Sequence, residues 1–172
     1  MKLSNLSWLP ALIIMIIIFM FSAKPADNSN ESSKTIANFV LNTMENFNMI
    51  DDTLLANDRD DVLNNINHIV RKLAHFMEYA LLAMAIEFHM WVRKRRGVRL
   101  ILLSIIFTSL YAATDEFHQL FVPGRSGELK DVIIDSAGAI AGTFSFYLAI
   151  LIINHYRSSR KNSDKHKPAI IS

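Results

Sequence analysis

The stretch Tyr111-Ala112-Ala113-Thr114-Asp115-Glu116-Phe117-His118-Gln119 closes one apolar run. Val122-Pro123-Gly124-Arg125-Ser126-Gly127-Glu128-Leu129-Lys130-Asp131 then leads into another. Two adjacent carboxylates, a histidine and an arginine therefore sit at the mouth of two expected membrane helices. Charged groups at that depth are costly unless they have partners or a function. How the chain folds follows from which side of a membrane this stretch occupies and which other residues meet it there.

Working outward, four apolar runs are marked: 8–23, 73–92, 100–114 and 132–153. A span takes about 20 residues, within a range of roughly 17–25. The second and fourth runs meet this, whereas the first and third must borrow flanking residues or cross a thin region. Hydrophobic residues make up 51% of the 172, and they are concentrated in these runs. The expected architecture is all-α: an integral membrane bundle of four transmembrane helices in a single domain. An extracytoplasmic helical loop, 24–70, separates the first two. The first run also reads as a signal peptide, with Lys2, an apolar core and then Ser22-Ala23-Lys24-Pro25-Ala26. Pro25 disfavours cleavage, so a retained helix is expected. The absence of cysteine excludes disulfides and thiolate metal sites.

Charge sets the orientation. Residues 24–69 hold three basic and eight acidic side chains. The loop after the second run carries Arg93, Lys94, Arg95, Arg96 and Arg99 with no acid, and the tail 155–172 is again basic. Positive charge stays in the cytoplasm. Both termini are thus expected on the cytoplasmic side of the membrane, with 24–70 and 115–131 outside. In the outer loop, 24–34 is polar and reads as a linker. Ile36, Phe39, Val40, Met44, Phe47 and Ile50 then recur at helical spacing, followed by Val62, Leu63, Ile66, Ile69 and Val70. Asp58 is placed to cap the second of these helices. Both are expected to pack over the bundle, or to act as a lid.

The polar residues of three spans fall at the same outer end. Arg71, His75, Glu78 and Tyr79 share one face of the second. Lys72 lies beside them. The third ends with Tyr111, Asp115 and His118 on one stripe, and Glu116 and Gln119 on the next. The fourth begins with Asp131 and Asp135 and continues through Gly138 and Gly142, a small-xxx-small spacing that admits a neighbouring helix closely. Glu87 is the one acid toward the other end, where it is expected to snorkel or to pair with Arg93 or Lys94.

Three chemistries suit such a chamber. Arg71, Lys72 and Arg125 could hold a phosphate or carboxylate headgroup, the arginines with bidentate geometry. Tyr79, Gln119 and Asp131 are further candidate binding residues. His75 with Glu78, and Asp115 or Glu116 with His118, have the composition of acid–base pairs, as does Asp135. The same side chains could ligate a divalent metal, but no strict ligand spacing is present. The Pro123-Gly124 segment reads as a tight turn and lacks Walker spacing. Each residue also has a structural reading as a buried ion pair, an interfacial aromatic or a helix-end carboxylate.

The chain resembles the VanZ-like family of small bacterial membrane proteins, named for a teicoplanin resistance protein. The motifs that carry the likeness are Phe21-Ser22-Ala23-Lys24-Pro25, Arg71-Lys72-Leu73-Ala74-His75-Phe76-Met77-Glu78-Tyr79, Tyr111 through Gln119, and Pro123-Gly124-Arg125 through Gly138, over residues 8–150. The resemblance implies a multi-spanning bacterial protein. It also implies that some relatives raise tolerance to the lipoglycopeptide teicoplanin. It implies no mechanism. Three expectations stay open. One is a site that binds or modifies a lipid-linked envelope substrate. Another is a non-catalytic lipid- or antibiotic-masking protein. The last is a small transporter or oligomeric pore. The expected partner is membrane lipid or a lipid-linked substrate and not nucleic acid. Any cofactor, any metal and the oligomeric state are left undefined.

Overall fold

The computed structural model of the chain describes residues 3–50 and 52–165. Among them lie a 3-10 turn, Leu3–Leu6, and five α-helices with no strand. These are α1 (Leu9–Ser22), α2 (Ala26–Asn46), α3 (Asp52–Val92), α4 (Val98–Gln119) and α5 (Leu129–Lys165). Two segments are long and apolar enough to cross a membrane, α4 in full and Leu129–Arg160 of α5. The 14 residues of α1 extend only about 21 Å at the helical rise. The basic tail is helical as far as Lys165, and 166–172 lie outside the described residues.

The segment 24–34, expected as a linker, is helical from Ala26 onward. Pro25 is extended (φ −52°, ψ 151°) and gives α2 a fresh start. Asp27 sits in its first turn, where the helix dipole favours a carboxylate. The Ser33 hydroxyl donates back to the carbonyls of Ser29 (3.1 Å) and Asn30 (3.2 Å). Polar residues are thus absorbed by the helix's own backbone. The packing face of α2 also differs from the expected one. Ser33, Ala37 and Leu41 are buried, while Phe39 and Phe47 are each 73% exposed. Small residues let α2 lie close on α3, which turns the aromatic face outward.

The helix expected over 62–70 and the span expected over 73–92 form one continuous helix. No breaker separates them, and Arg71 and Lys72 are good helix formers. The only irregularity is at Asp58 (φ −133°, ψ 27°), so the position expected as a cap is a bend within α3. This helix is the centre of the fold and packs against α1, α2, α4 and α5. Its closest neighbour is α5. A Cβ added at Gly138 would strike the Phe76 carbonyl, and one at Gly142 the Ala80 carbonyl. The small-residue spacing therefore brings two backbones into direct contact.

The distribution of polarity is inverted relative to a protein dissolved in water. Ile13, Ile16, Phe19, Ile106, Phe107, Leu110, Phe144 and Leu148 point outward, about half exposed. Glu87, Ser104, Thr108, Asp115, Glu116, Gln119, Asp135 and Thr143 are buried. A contiguous apolar exterior of this extent suits lipid and not water. Glu87 corrects an expectation: it neither snorkels nor pairs. Its side chain is fully buried, and both carboxylate oxygens lack a hydrogen-bond partner. It faces inward because the apolar residues around it on α3 take the outward positions.

Candidate functional site

The C-terminal turns of α4 carry the site's carboxylates on its buried stripe. Asp115 Oδ2 accepts a hydrogen bond from Ser22 Oγ at 2.6 Å and another from Gln119 Nε2 at 3.2 Å. Gln119 Nε2 also donates to Glu116 Oε1 at 3.0 Å. The other oxygen of Glu116 accepts from the Glu128 backbone N–H at 3.0 Å. One glutamine therefore orients two carboxylates, while α1 and the α4–α5 loop hold their far sides. Asp135 of α5 is fully buried, and its oxygens have no partner. His75 Nδ1 is likewise buried without one, and the buried Tyr79 hydroxyl faces Asp115. Asp135 lies within electrostatic reach of Glu116, Asp131, Asp115 and Glu78.

The α4–α5 loop folds back as the sequence requires. Arg125 N–H closes a turn on the Val122 carbonyl at 3.1 Å, with Pro123 and then Gly124 (φ 74°) at its centre. That order is the signature of a type II turn, whose third residue needs positive φ. A Cβ at Gly127 would meet the Glu116 carbonyl, so this glycine is what lets the loop lie against α4.

Arg125, expected to bind an anion, is engaged by the protein itself. Its Nε donates to the Lys24 carbonyl at 2.9 Å, and its terminal nitrogens donate to the Phe21 carbonyl at 3.1 Å and Gln119 Oε1 at 3.2 Å. It thereby caps the end of α1 and fixes the amide that orients Asp115 and Glu116. Burial, and then the Arg71 guanidinium, lower its pKa, opposed by Asp115, Glu116 and Glu78. An arginine remains charged under such shifts. Lys72 and Asp131 form an ion pair that ties α3 to the first turn of α5.

The candidate residues do not all face one space. Arg71, His75, Glu78 and Arg125 line a cavity of about 250 Å3 under α2, together with Phe21, Ile36, Val70 and Ala74. Lys72, His75, Gln119, Arg125 and Asp131 line a smaller one of about 80 Å3 beside the loop. Arg71, His75 and Arg125 belong to both. His118 is elsewhere: its ring lies against Phe19 of α1, centroids 4.7 Å apart. The expected pairing of His118 with Asp115 or Glu116 appears in no hydrogen bond. His75 and Glu78 share a cavity wall without bonding each other. Among the described residues, no three histidine or acidic side chains are placed to hold a metal. Ser22 was missed as a site residue. It is the donor that α1 contributes to Asp115, and its place in the Phe21-Ser22-Ala23 motif was the available signal.

Below this site runs a second buried polar layer. Gly142 lies level with Ala80, and the Tyr79 and Tyr111 rings are 6.2 Å apart. Counting along the helices from those two contacts puts Thr108 and Thr143 at one level. The next turn holds Ser104 and Glu87. The hydroxyls of Thr108 and Thr143, like the Glu87 carboxylate, are buried and without partners.

No curated protein and no solved structure matches the chain. A family model, VanZ/LLP1, matches residues 7–153. That range begins just before α1, includes every residue of the two cavities, and ends within α5. The arrangement just described is therefore carried by a chain that belongs to the VanZ/LLP1 family.

Proposed function

We propose that the chain crosses a bacterial cytoplasmic membrane four times, with both termini inside, and that its site binds or modifies a lipid-linked envelope substrate at the outer leaflet. One observation carries this reading. The cavity under α2 joins an apolar wall (Phe21, Ile36, Val70, Ala74) to a cationic and acid–base wall (Lys24, Arg71, His75, Glu78). An amphiphile with an anionic head has that division of character. Arg71 is the main anion-binding candidate, because it forms no ion pair among the described residues, whereas Lys72 pairs with Asp131. Guanidinium groups suit phosphate through paired N–H donors. The exposed aromatic face of α2 fits a helix resting on the lipid surface above the site. Altered handling of an envelope lipid at that surface is a route to teicoplanin tolerance.

The test is binding of a polyprenyl phosphate to the purified full-length chain by native mass spectrometry, with phosphatidylcholine as the competitor. Wild type is expected to retain the phosphate lipid selectively. Arg71→Glu is expected to lose about tenfold or more in affinity, a difference of about 1.4 kcal/mol. Equal retention of the two lipids by wild type would sink the reading.

A second reading, a small transporter or pore, draws support from the buried layer of Thr108, Thr143 and Glu87 beneath the carboxylates. Under it, Glu87→Gln slows the decay of an imposed pH gradient in reconstituted vesicles to the protein-free rate. Under the first reading, wild-type and variant vesicles leak alike.

A further inference from the structure

Arg71 faces a third space besides the two already described. Between α2 and α3 lies a cavity of about 300 Å3 lined by Asn30, Lys34, Asn64, Asn67, His68 and Arg71. Its character is opposite to that of the apolar cavity that Arg71 also lines. Three side-chain amides, a histidine and two cations surround it, and no aliphatic residue does. Its volume is about ten times a water molecule's share of the liquid, room for one sugar ring.

The amides are expensive in this position. Asparagine is a poor helix former, because its side chain competes for backbone groups. All three nonetheless sit within helices. Asn67 is 8% exposed, and its Oδ1 has no hydrogen-bond partner. A buried amide oxygen without a partner keeps its desolvation penalty uncompensated. Asn30 Oδ1 accepts weakly from Arg71 at 3.4 Å, which links the amide cluster to the guanidinium. An amide presents both donors and an acceptor. It can therefore satisfy adjacent hydroxyls of a sugar, each of which both donates and accepts. Phosphate needs only donors and would leave the acceptor oxygens of the amides that line this space unmatched.

We propose that this cavity is a saccharide subsite, and that the ligand is a lipid-linked sugar phosphate with its hexose among Asn30, Asn64 and Asn67, its phosphate on Arg71 and its chain in the apolar cavity. The proposal rests on the lipid-phosphate reading above and adds the headgroup to it. Arg71 lines both the amide-lined and the apolar cavity, so a phosphate held on it reaches the one with its sugar and the other with its chain.

The experiment compares three probes on the purified full-length chain: a polyprenyl monophosphate, the same lipid esterified through its phosphate to one hexose, and free hexose 1-phosphate. The hexose ester is expected to bind about tenfold or more tighter than the monophosphate, about 1.4 kcal/mol. The free sugar phosphate is expected to bind more weakly than the ester. In Asn67→Leu the increment from the hexose disappears and the two lipids bind alike. Asn64→Ala, at an exposed position, shrinks the same increment. The proposal is overturned if wild type binds both lipids equally, if free hexose 1-phosphate binds as tightly as the ester, or if both asparagine variants keep the full hexose preference. Equal binding of the two lipids leaves the lipid-phosphate reading standing, whereas failure to bind either lipid removes both.

Discussion

Gly142→Val is expected to prevent the bundle from assembling. A Cβ at this position meets the Ala80 carbonyl and backbone. A flexible side chain in its path could swing aside, but a helical carbonyl cannot move without breaking its own hydrogen bond. The helices must separate, and α3 packs against every other α-helix, so separation at this point loosens the whole fold. Overpacking in ordinary cores costs about 1–3 kcal/mol and occasionally more. Here the obstacle is backbone, and a loss of about 3 kcal/mol or more is expected. The measurement is the yield of monodisperse protein in detergent and its melting temperature. Ile140→Leu, two residues away and 43% exposed, is the control and is expected to behave as wild type. A Gly142→Val protein that purifies and melts normally would mean that α3 and α5 do not touch as described.

The second large effect is expected on function with the fold intact. Asp115→Asn keeps the shape of the side chain and an oxygen for the Ser22 hydroxyl. It removes the charge that reaches His75, Glu78 and Asp135. Where a positioned group moves a proton, its loss lowers the rate by about 10²–10⁴. In a teicoplanin-sensitive bacterium expressing the chain, the inhibitory concentration is expected to rise with wild type. With Asp115→Asn it is expected to return to that of the empty vector, at equal abundance in the membrane. Full tolerance from the variant would exclude acid–base use of Asp115. No rise with wild type would remove the tolerance reading itself.

The motifs on α4 were legible because their logic is local. A run of apolar residues followed by Asp115, Glu116 and Gln119 at helical spacing predicts a helix with acids on its last turns, and α4 has them there. Pro123-Gly124 predicted a turn for an equally local reason. Arg71, His75 and Glu78 were placed on one face by the helical period, and they share a cavity wall. His118 shows the limit of that method. It lies close in sequence to both carboxylates, yet the rotation of α4 against α1 turns it toward Phe19. Arg125 shows another. Its charge suggested a ligand, but three hydrogen bonds to Phe21, Lys24 and Gln119 commit it to the protein.

The sequence by itself determined that the chain is helical, that its apolar segments suit lipid, which family it resembles, and that acids and bases gather at one end of the helices. These follow from composition and from periods of a few residues, which every helix of this sequence must obey. The tertiary structure alone decided that 24–34 is helical, that Glu87 is sealed inside, and that Gln119 joins Asp115, Glu116 and Arg125. It alone brought Asn30 of α2 beside Asn64 and Asn67 of α3 in a polar space that shares Arg71 with an apolar one. The reason is physical: which face of a helix becomes its inner face depends on where the small residues let another backbone approach. Ser33 and Ala37 on α2, and Gly138 and Gly142 on α5, set those approaches. The stretch from Tyr111 to Gln119 supplied the site's acids, and its neighbours' packing decided what they face.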